Sequence, residues 1–525
     1  MAFERAAHLS KLAGDINWDV VIIGGGASGL GVAVDAASRG YKVLLLEQYD
    51  FAKGTSSKST KLVHGGVRYL ANGDVGLVIE ALRERGLLAK NANHLFRKQA
   101  FVIPTFSLWQ SFFYWAGLTV YKLLSGRKSL GRSRWINKTK VLDRNPTLKT
   151  DKLHGGVIYY DGQFDDARLA LNLAQTASEE GATILNYCKV VGFEKADDQN
   201  INKVDILDTV HNKSYAIQTK VVINASGIFT DSTLKLYKPD HKKTVVPSQG
   251  IHLMLDASFL GGQRAIMIPK TADGRVLFII PWHDSVIAGT TDTPIKKPNI
   301  EPKPLKEEVQ FILDTINQYL AKQATVDDVR SVFSGLRPLA KPKDHQESTK
   351  EVSRSHKIIR DANMLSIVGG KWTTYRKMAE DVVDRINKDL LKAPSKCRTE
   401  ELPIHGHTIQ LGDDYAWLDV YGADKPLLIE YHNAHDGFWE QLHPEHPYTL
   451  GQLHWAIERE MAMTIDDFLA RRIRLLLLHA KAATEIAPRI ASIMAQKLGR
   501  DPAWEEEQLT SFRSMAQKYL LLKAK

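Results

Sequence analysis

The sequence predicts a mixed α/β protein in three parts: a Rossmann-like nucleotide-binding unit, an antiparallel β-rich block and a helical C-terminal cap. Three observations carry this. Asp19 to Gln48 reads DVVIIGGGASGLGVAVDAASRGYKVLLLEQ, an apolar strand, a glycine turn, a small-residue helix and a second apolar strand. Residues 245–300 contain four β-rich runs, Ile251–Leu255, Ala265–Pro269, Val276–Pro281 and Val286–Thr290. From Ala462 to Leu498 the pattern becomes helical and carries no further glycine fingerprint.

The 525 residues suit about three domains of ordinary size. Hydrophobic residues at 44% and charged residues at 25% exclude disorder and fibrous repeats. Two cysteines, Cys188 and Cys397, exclude a disulfide framework and a thiolate-rich metal or iron–sulfur site. The net charge of +10 suits an anionic partner: nucleic acid, a membrane surface or a phosphorylated small molecule. No zinc finger, helix-turn-helix or aromatic RNA-binding motif accompanies it, so no specific nucleic acid is expected. Met1 to Asp19 carries Glu4, Asp15 and Asp19 and no apolar run, which reads as a cytoplasmic protein.

In the nucleotide unit, Gly24 permits the tight turn, Gly26 lets backbone approach a pyrophosphate, and Gly29 lets the helix pack on the strand. Ser28 lies in the first helical turn, where free amides bind phosphate. The second strand, Val43 to Leu46, ends at Glu47, at about the 20-residue interval of the acid that accepts ribose hydroxyls. That carboxylate disfavours NADP, but the pattern does not separate FAD from NAD. Next comes GTSSKSTKLVHGGVRYL, Gly54 to Leu70, whose small residues can follow a cofactor closely and whose Lys58, Lys61, His64 and Arg68 add positive charge. A basic surface turn is the plain alternative.

Seven segments together resemble the FAD-dependent glycerol-3-phosphate dehydrogenases. They are GGGASG from Gly24, TSSKSTKLVHGGVRYL from Thr55, NASGIFTD from Asn224, SQGIHL from Ser248, GTTDTP from Gly289, SGLRPL from Ser334 and GGKWTTYR from Gly369. MTIDDFLARRIR, Met463 to Arg474, is similar to the family's helical cap. The resemblance implies FAD as cofactor and oxidation of sn-glycerol 3-phosphate to dihydroxyacetone phosphate. It also implies electron transfer to membrane quinone, or to oxygen in related oxidases; the shared motifs do not choose between these acceptors. A homodimer and peripheral attachment to the inner face of the cytoplasmic membrane are further expectations. Other readings are an FAD-dependent amine or 2-hydroxyacid oxidoreductase, an NAD-linked dehydrogenase, and a flavin-bearing membrane or nucleic-acid interaction protein.

The resemblance also implies a discontinuous FAD-binding domain at residues 1–100, 161–244 and 355–395. The substrate domain is expected at 101–160 and 245–354, and the helical domain at 396–525. Helices are expected at Asp165–Ser178, Leu305–Tyr319 and Thr373–Asp389. FVIPTFSLWQSFFYWAGLTVYKLL, Phe101 to Leu124, is aromatic and almost uncharged, and Arg127, Lys128, Arg132, Arg134, Lys138 and Lys140 follow it. It reads as packing beside the active-site mouth or as an interfacial helix on an anionic membrane, rather than a span.

By this resemblance FAD contacts come from Gly24, Gly26, Ser28, Gly29, Glu47, Thr55, Ser56, Ser57, Lys61, His64, Gly65, Gly66, Gly227, Gly370, Lys371 and Thr373. Arg68, Tyr69, Arg337, Arg354 and Lys371 are expected at the substrate, with Arg337 and Arg354 on the phosphate, because guanidinium groups bind phosphate oxygens in pairs. His252 is the first candidate for the base that takes the carbinol proton and His64 the second, since a histidine near its free pKa needs little tuning. Arg337 and Lys371 complete the catalytic set, with Lys371 at the reacting oxygen or the flavin side. His283, His356 and His405 are weaker candidates for the base. The histidines between His432 and His446 show no convincing ligand constellation, so no metal is expected.

Overall fold

The computed structural model describes residues 3–67, 70, 73–341, 356–388, 395–412 and 414–521. Its first sheet is built on the nucleotide unit. From one edge the strands run Lys357–Asp361, Met364–Val368, Lys213–Asn224, Asn17–Ile23, Val43–Leu46 and Thr183–Leu185. All neighbours are parallel except the first pair, and Cys188–Lys195 and Ile201–Asp208 extend the sheet as an antiparallel meander. Both faces of the central strands are buried, which is why they read as continuous β-branched runs rather than alternating ones. Val20 and Ile22 face the helices Ala27–Ser38, Asp166–Glu179 and Tyr375–Ile386, while Val21 and Ile23 face the meander and Tyr237. The expected helices at Asp165–Ser178, Leu305–Tyr319 and Thr373–Asp389 are present as Asp166–Glu179, Lys306–Tyr319 and Tyr375–Ile386.

The second sheet has ten strands, and the four β-rich runs expected in residues 245–300 lie in it as Val245–Asp256, Ala265–Ile268, Leu277–Trp282 and Ser285–Gly289. Val245–Asp256 pairs along its length with Ser331–Ala340. The strands Arg97–Thr105 and Gly155–Gln163 pair across nine positions in the same sheet. The expected borders at 100 and 160 therefore cut through one hydrogen-bonded ladder, and the whole of both strands belongs with the β-rich block. The short strand Leu62–Val63 also pairs into this sheet.

Phe101 to Leu124 is not one element: the strand ends at Thr105 and a helix runs Leu108–Leu124. Ser107 makes the break, its hydroxyl accepting from the Gln110 amide (3.2 Å) as an N-cap. No helix among the described residues is long and apolar enough to cross a membrane.

Residues 462–498 also break rather than forming one long helix. A π-turn at Asp467–Arg472 and a left-handed Arg474 separate the Leu475–Leu478 turn and the Ala480–Leu498 helix from what precedes them. The side chains of this segment are held by buried ion pairs with the nucleotide lobe. Arg471 and Arg472 both meet Asp50 (2.5 and 2.7 Å), and Arg474 meets Asp166 (2.8 Å).

Candidate active site

A cleft of about 660 Å³ runs from the glycine turn to the β-rich sheet. At its nucleotide end, Gly24 adopts φ +111° and donates to Leu46 O (2.9 Å). A Cβ on Gly29 would lie 1.9 Å from the Gly24 carbonyl, so only glycine lets the helix close on the strand here. Gly26, Ser28 and Glu47 line the cleft. The Glu47 carboxylate accepts from the Gly25 amide (2.7 Å) and the Tyr49 amide (2.8 Å), which fixes the turn relative to the second strand. Burial raises its pKa, and those two amide bonds act against the rise. Ser56 Oγ accepts from the Ala27 amide (3.0 Å), the first residue of the helix. Sequence reasoning gave Ser56 to the cofactor without foreseeing this second role.

Thr55, Ser56, His64, Gly227, Gly370, Lys371 and Thr373 line the cleft as expected. Trp372 Nε1 donates to Ser56 O (2.8 Å), and the His64 amide donates to Thr373 Oγ1 (3.3 Å), which pins the two cofactor-facing loops together.

Five expected cofactor contacts lie elsewhere; Gly29 packs against the Gly24 carbonyl instead of lining the cleft. Lys61 is fully buried beneath the cleft, its ammonium donating to Asp166 (2.7 Å) and to Ser57 O (2.7 Å). Desolvation, only partly offset by Asp166, pushes it down to about 7. Ser57 is buried, and its carbonyl also accepts from Arg474 (2.9 Å). The Gly65 amide donates to Tyr121 Oη (2.7 Å) of the Leu108–Leu124 helix, and neither Gly65 nor Gly66 lines the cleft. Arg68, Tyr69 and Arg354 lie outside the described residues.

At the far end, antiparallel pairing sets Ser248 opposite Arg337 and His252 opposite Phe333. The Arg337 guanidinium donates to Thr290 Oγ1 (3.1 Å), Thr291 O (3.0 Å), Gln249 O (3.3 Å) and Asp292 (3.3 Å). A Cβ on Gly250 would lie 2.2 Å from Arg337 Nη2, so this glycine makes room for the guanidinium. The GTTDTP motif was visible in the sequence, but its role as the seat of Arg337 was not.

His252 is buried, stacked on Phe333 (4.9 Å between centroids) and bonded through Nε2 to Thr60 Oγ1 (2.9 Å). It is not near its free pKa. Burial first, then the Lys61 and Arg337 cations, hold it well below 6.5, so the ring is neutral at pH 7. The weaker candidates are paired away from the cleft: His283 with Asp165, His356 with Asp381, and His405 with Glu179 and Asp424. The two carboxylates outweigh burial at His405 and push it up to about 10.

Comparison with known proteins agrees with this geometry. Residues 19–374 match the family model described as FAD dependent oxidoreductase, and 362–508 match the C-terminal domain of alpha-glycerophosphate oxidase. The chain is 38% identical over 541 residues to the probable mitochondrial glycerol-3-phosphate dehydrogenase of Caenorhabditis elegans, covering 97% of this chain and 74% of the relative. It belongs to the FAD-dependent glycerol-3-phosphate dehydrogenase family. The mitochondrial glycerol-3-phosphate dehydrogenase of Homo sapiens is 37% identical, with 97% of this chain and 74% of the relative covered. The glycerol-3-phosphate dehydrogenase of Bacillus halodurans, solved with FAD, superposes with a TM-score of 0.81 at 28% identity, covering 99% of each chain. The protein is accordingly an FAD-dependent oxidoreductase of this family.

The residues present fit FAD. The glycine turn brings bare backbone to the cleft, a half-buried carboxylate sits at the end of the second strand, and Gly227, at φ +60°, has open space where a side chain would be. Gly24, Gly26, Ser28 and Glu47 would hold its nucleotide half; Thr55, Ser56, Gly370 and Thr373 would flank the rest.

Proposed function

We propose that this enzyme oxidises sn-glycerol 3-phosphate to dihydroxyacetone phosphate and passes the electrons to membrane quinone. The observation that carries the reading is that Arg337 and His252 share one end of the cleft whose other end is the nucleotide turn. Bound FAD supplies a two-electron acceptor for the carbinol hydrogen. Arg337 offers directional donors to the substrate phosphate, with Arg68 and Arg354 its expected partners. Lys371 adds a compact positive charge near the reacting oxygen. His252 receives the carbinol proton, and Thr60, bonded at Nε2, and Phe333 fix the ring. The dianionic substrate offsets the cations that depress His252, so binding raises its basicity where it is needed.

Anaerobic mixing of the FAD-loaded enzyme with glycerol 3-phosphate should bleach the flavin, and a soluble quinone should reoxidise it faster than oxygen does. Failure to bleach under saturating substrate rejects the reading. His252→Gln should slow the bleaching by roughly 10²–10⁴-fold at unchanged FAD content, the usual contribution of a general base. In the wild-type enzyme the acid limb of kcat/KM should fall below pH 6.5, because the histidine of the free enzyme resists protonation until then. That limb should vanish in the variant.

A second reading, oxygen as acceptor, is favoured by the match of residues 362–508 to an oxidase domain. Dominant peroxide production in the same experiment would select it.

Peripheral membrane attachment is part of the proposal. On the Leu108–Leu124 helix, Leu108 and Trp109 are 73% and 72% exposed, and Phe112, Phe113 and Leu123 are exposed beside them. A monomer in water has no use for such a patch, whereas an anionic bilayer would receive the aromatics and attract the basic run that follows. Replacing Trp109, Phe112 and Phe113 with Ser should weaken co-sedimentation with phosphatidylglycerol vesicles by at least about 100-fold, given roughly 1.5–3 kcal/mol per buried side chain. Turnover with a water-soluble acceptor should be unchanged. Equal sedimentation of the variant would remove this helix as the contact.

A further inference from the structure

We propose that His443, Glu445, His446 and His479 form a structural binding site for a zinc-class divalent cation in the C-terminal lobe, remote from the flavin cleft. The strands Gln441–His443 and His446–Thr449 make a tight hairpin whose register places His443 opposite His446, with Glu445 in the turn between them. His479 caps the Ala480–Leu498 helix and comes to the same point from 33 residues away in sequence.

The donor atoms of His443, Glu445 and His446 all lie within 4.8 Å of one another. His446 Nε2 is 3.2 Å from His479 Nδ1, and His479 Nδ1 is 3.8 Å from the Glu445 carboxylate. Zinc bonds of about 2.0–2.1 Å in tetrahedral array put neighbouring ligand atoms roughly 3.3 Å apart, so the 3.2 Å His446–His479 spacing is already that of a bound ion and the others need only a modest contraction. Three imidazoles and one carboxylate suit zinc in preference to calcium or magnesium, which take oxygen ligands.

The surroundings support the same assignment. Glu485, on the helix, accepts from or pairs with His443 Nε2 at 3.2 Å, a carboxylate placed to orient the ring or to replace Glu445 as ligand. The nearby Arg330 guanidinium is engaged by Asp256 (2.5 Å). His443 and His479 are largely buried and Glu445 is exposed, so the cation has a protein floor and an entry from solvent. A hydrogen bond between His446 and His479 explains that one contact, but not the convergence of a third imidazole and a carboxylate on it. Because the fourth donor comes from another element, the hairpin's own spacing does not reveal the set. A bound cation would tie the hairpin to the start of the long C-terminal helix.

The test uses the tag-free, FAD-loaded full chain, titrated with Zn²⁺ in competition with a chromogenic chelator and with Co²⁺ as a spectroscopic probe. One Zn²⁺ per chain and the visible bands of tetrahedral Co²⁺ are expected, with a higher thermal midpoint in Zn²⁺. His446→Gln and His479→Ala should each weaken binding by more than about 100-fold, beyond what losing an outer hydrogen-bond partner does. Glu445→Ala changes only an exposed turn residue and keeps the test open if either histidine variant misfolds; it should weaken binding at least tenfold. FAD content and glycerol-phosphate turnover should not change in Glu445→Ala. Zinc uptake by wild type no greater than by His446→Gln and Glu445→Ala would overturn the proposal.

Discussion

Arg337→Ala is expected to lower kcat/KM for glycerol 3-phosphate by about a thousandfold while FAD content stays normal. Truncating one partner of a buried charged pair costs roughly 2–5 kcal/mol, and a thousandfold corresponds to about 4 kcal/mol. The split between the two readouts follows from where the guanidinium is anchored. Gln249 lies in the β-rich sheet and Thr290, Thr291 and Asp292 in the link between its strands Ser285–Gly289 and Thr293–Pro294, and none is in the glycine turn or the Glu47 strand end. Arg337→Lys should recover only a small part of the loss, since an ammonium cannot reproduce a planar fork that meets these acceptors and a phosphate together. Steady-state assays on flavin-saturated variants decide it. Unchanged kcat/KM in Arg337→Ala would take the residue out of the substrate site.

The contrast between the two ends of the cleft explains what the sequence could convey. The turn at Gly24 to Gly29 and the acid at Glu47 lie within one strand–helix–strand unit, so their spacing alone implies a dinucleotide site. His252 and Arg337 meet because distant strands pair in one register, and no local pattern encodes that pairing. Family motifs pointed to both residues, yet not to the depressed pKa of His252, which arises first from burial and then from the Lys61 and Arg337 cations. Lys61 was misplaced for a related reason. A lysine in a basic, glycine-flanked loop reads as a cofactor contact until Asp166, from a helix some hundred residues on, is found bonded to it. The aromatic stretch at 101–124 was read from composition, and composition does not show that Ser107 ends a strand and starts a helix.

Asp50→Ala is expected to be the most damaging single change outside the cleft. Asp50 is fully buried and meets both Arg471 and Arg472, while Arg471 also meets Asp466 (2.9 Å) and Asp467 (2.7 Å). Removing it leaves two buried guanidinium groups short of a counter-charge, a defect that costs about 3–5 kcal/mol. A thermal midpoint lower by roughly 3–5 °C should follow. FAD should dissociate more readily, because Tyr49, Ala52 and Lys53 beside Asp50 line the cleft. By comparison, Glu400→Ala breaks the exposed Arg83 pair and should change stability by no more than about 1 kcal/mol. The pH dependence gives the sign. Burial alone would raise the Asp50 pKa, but Arg472 and Arg471 more than offset it and hold it below the usual value. Its stabilisation is thus complete above the unfolded value near pH 4 and is lost as pH falls through the lower folded value. The midpoints of wild type and Asp50→Ala should therefore lie far apart at pH 7 and converge in acid. Curves that stay parallel from neutral pH into that acid range would show that the Asp50 charge is not what joins the C-terminal segment to the nucleotide lobe.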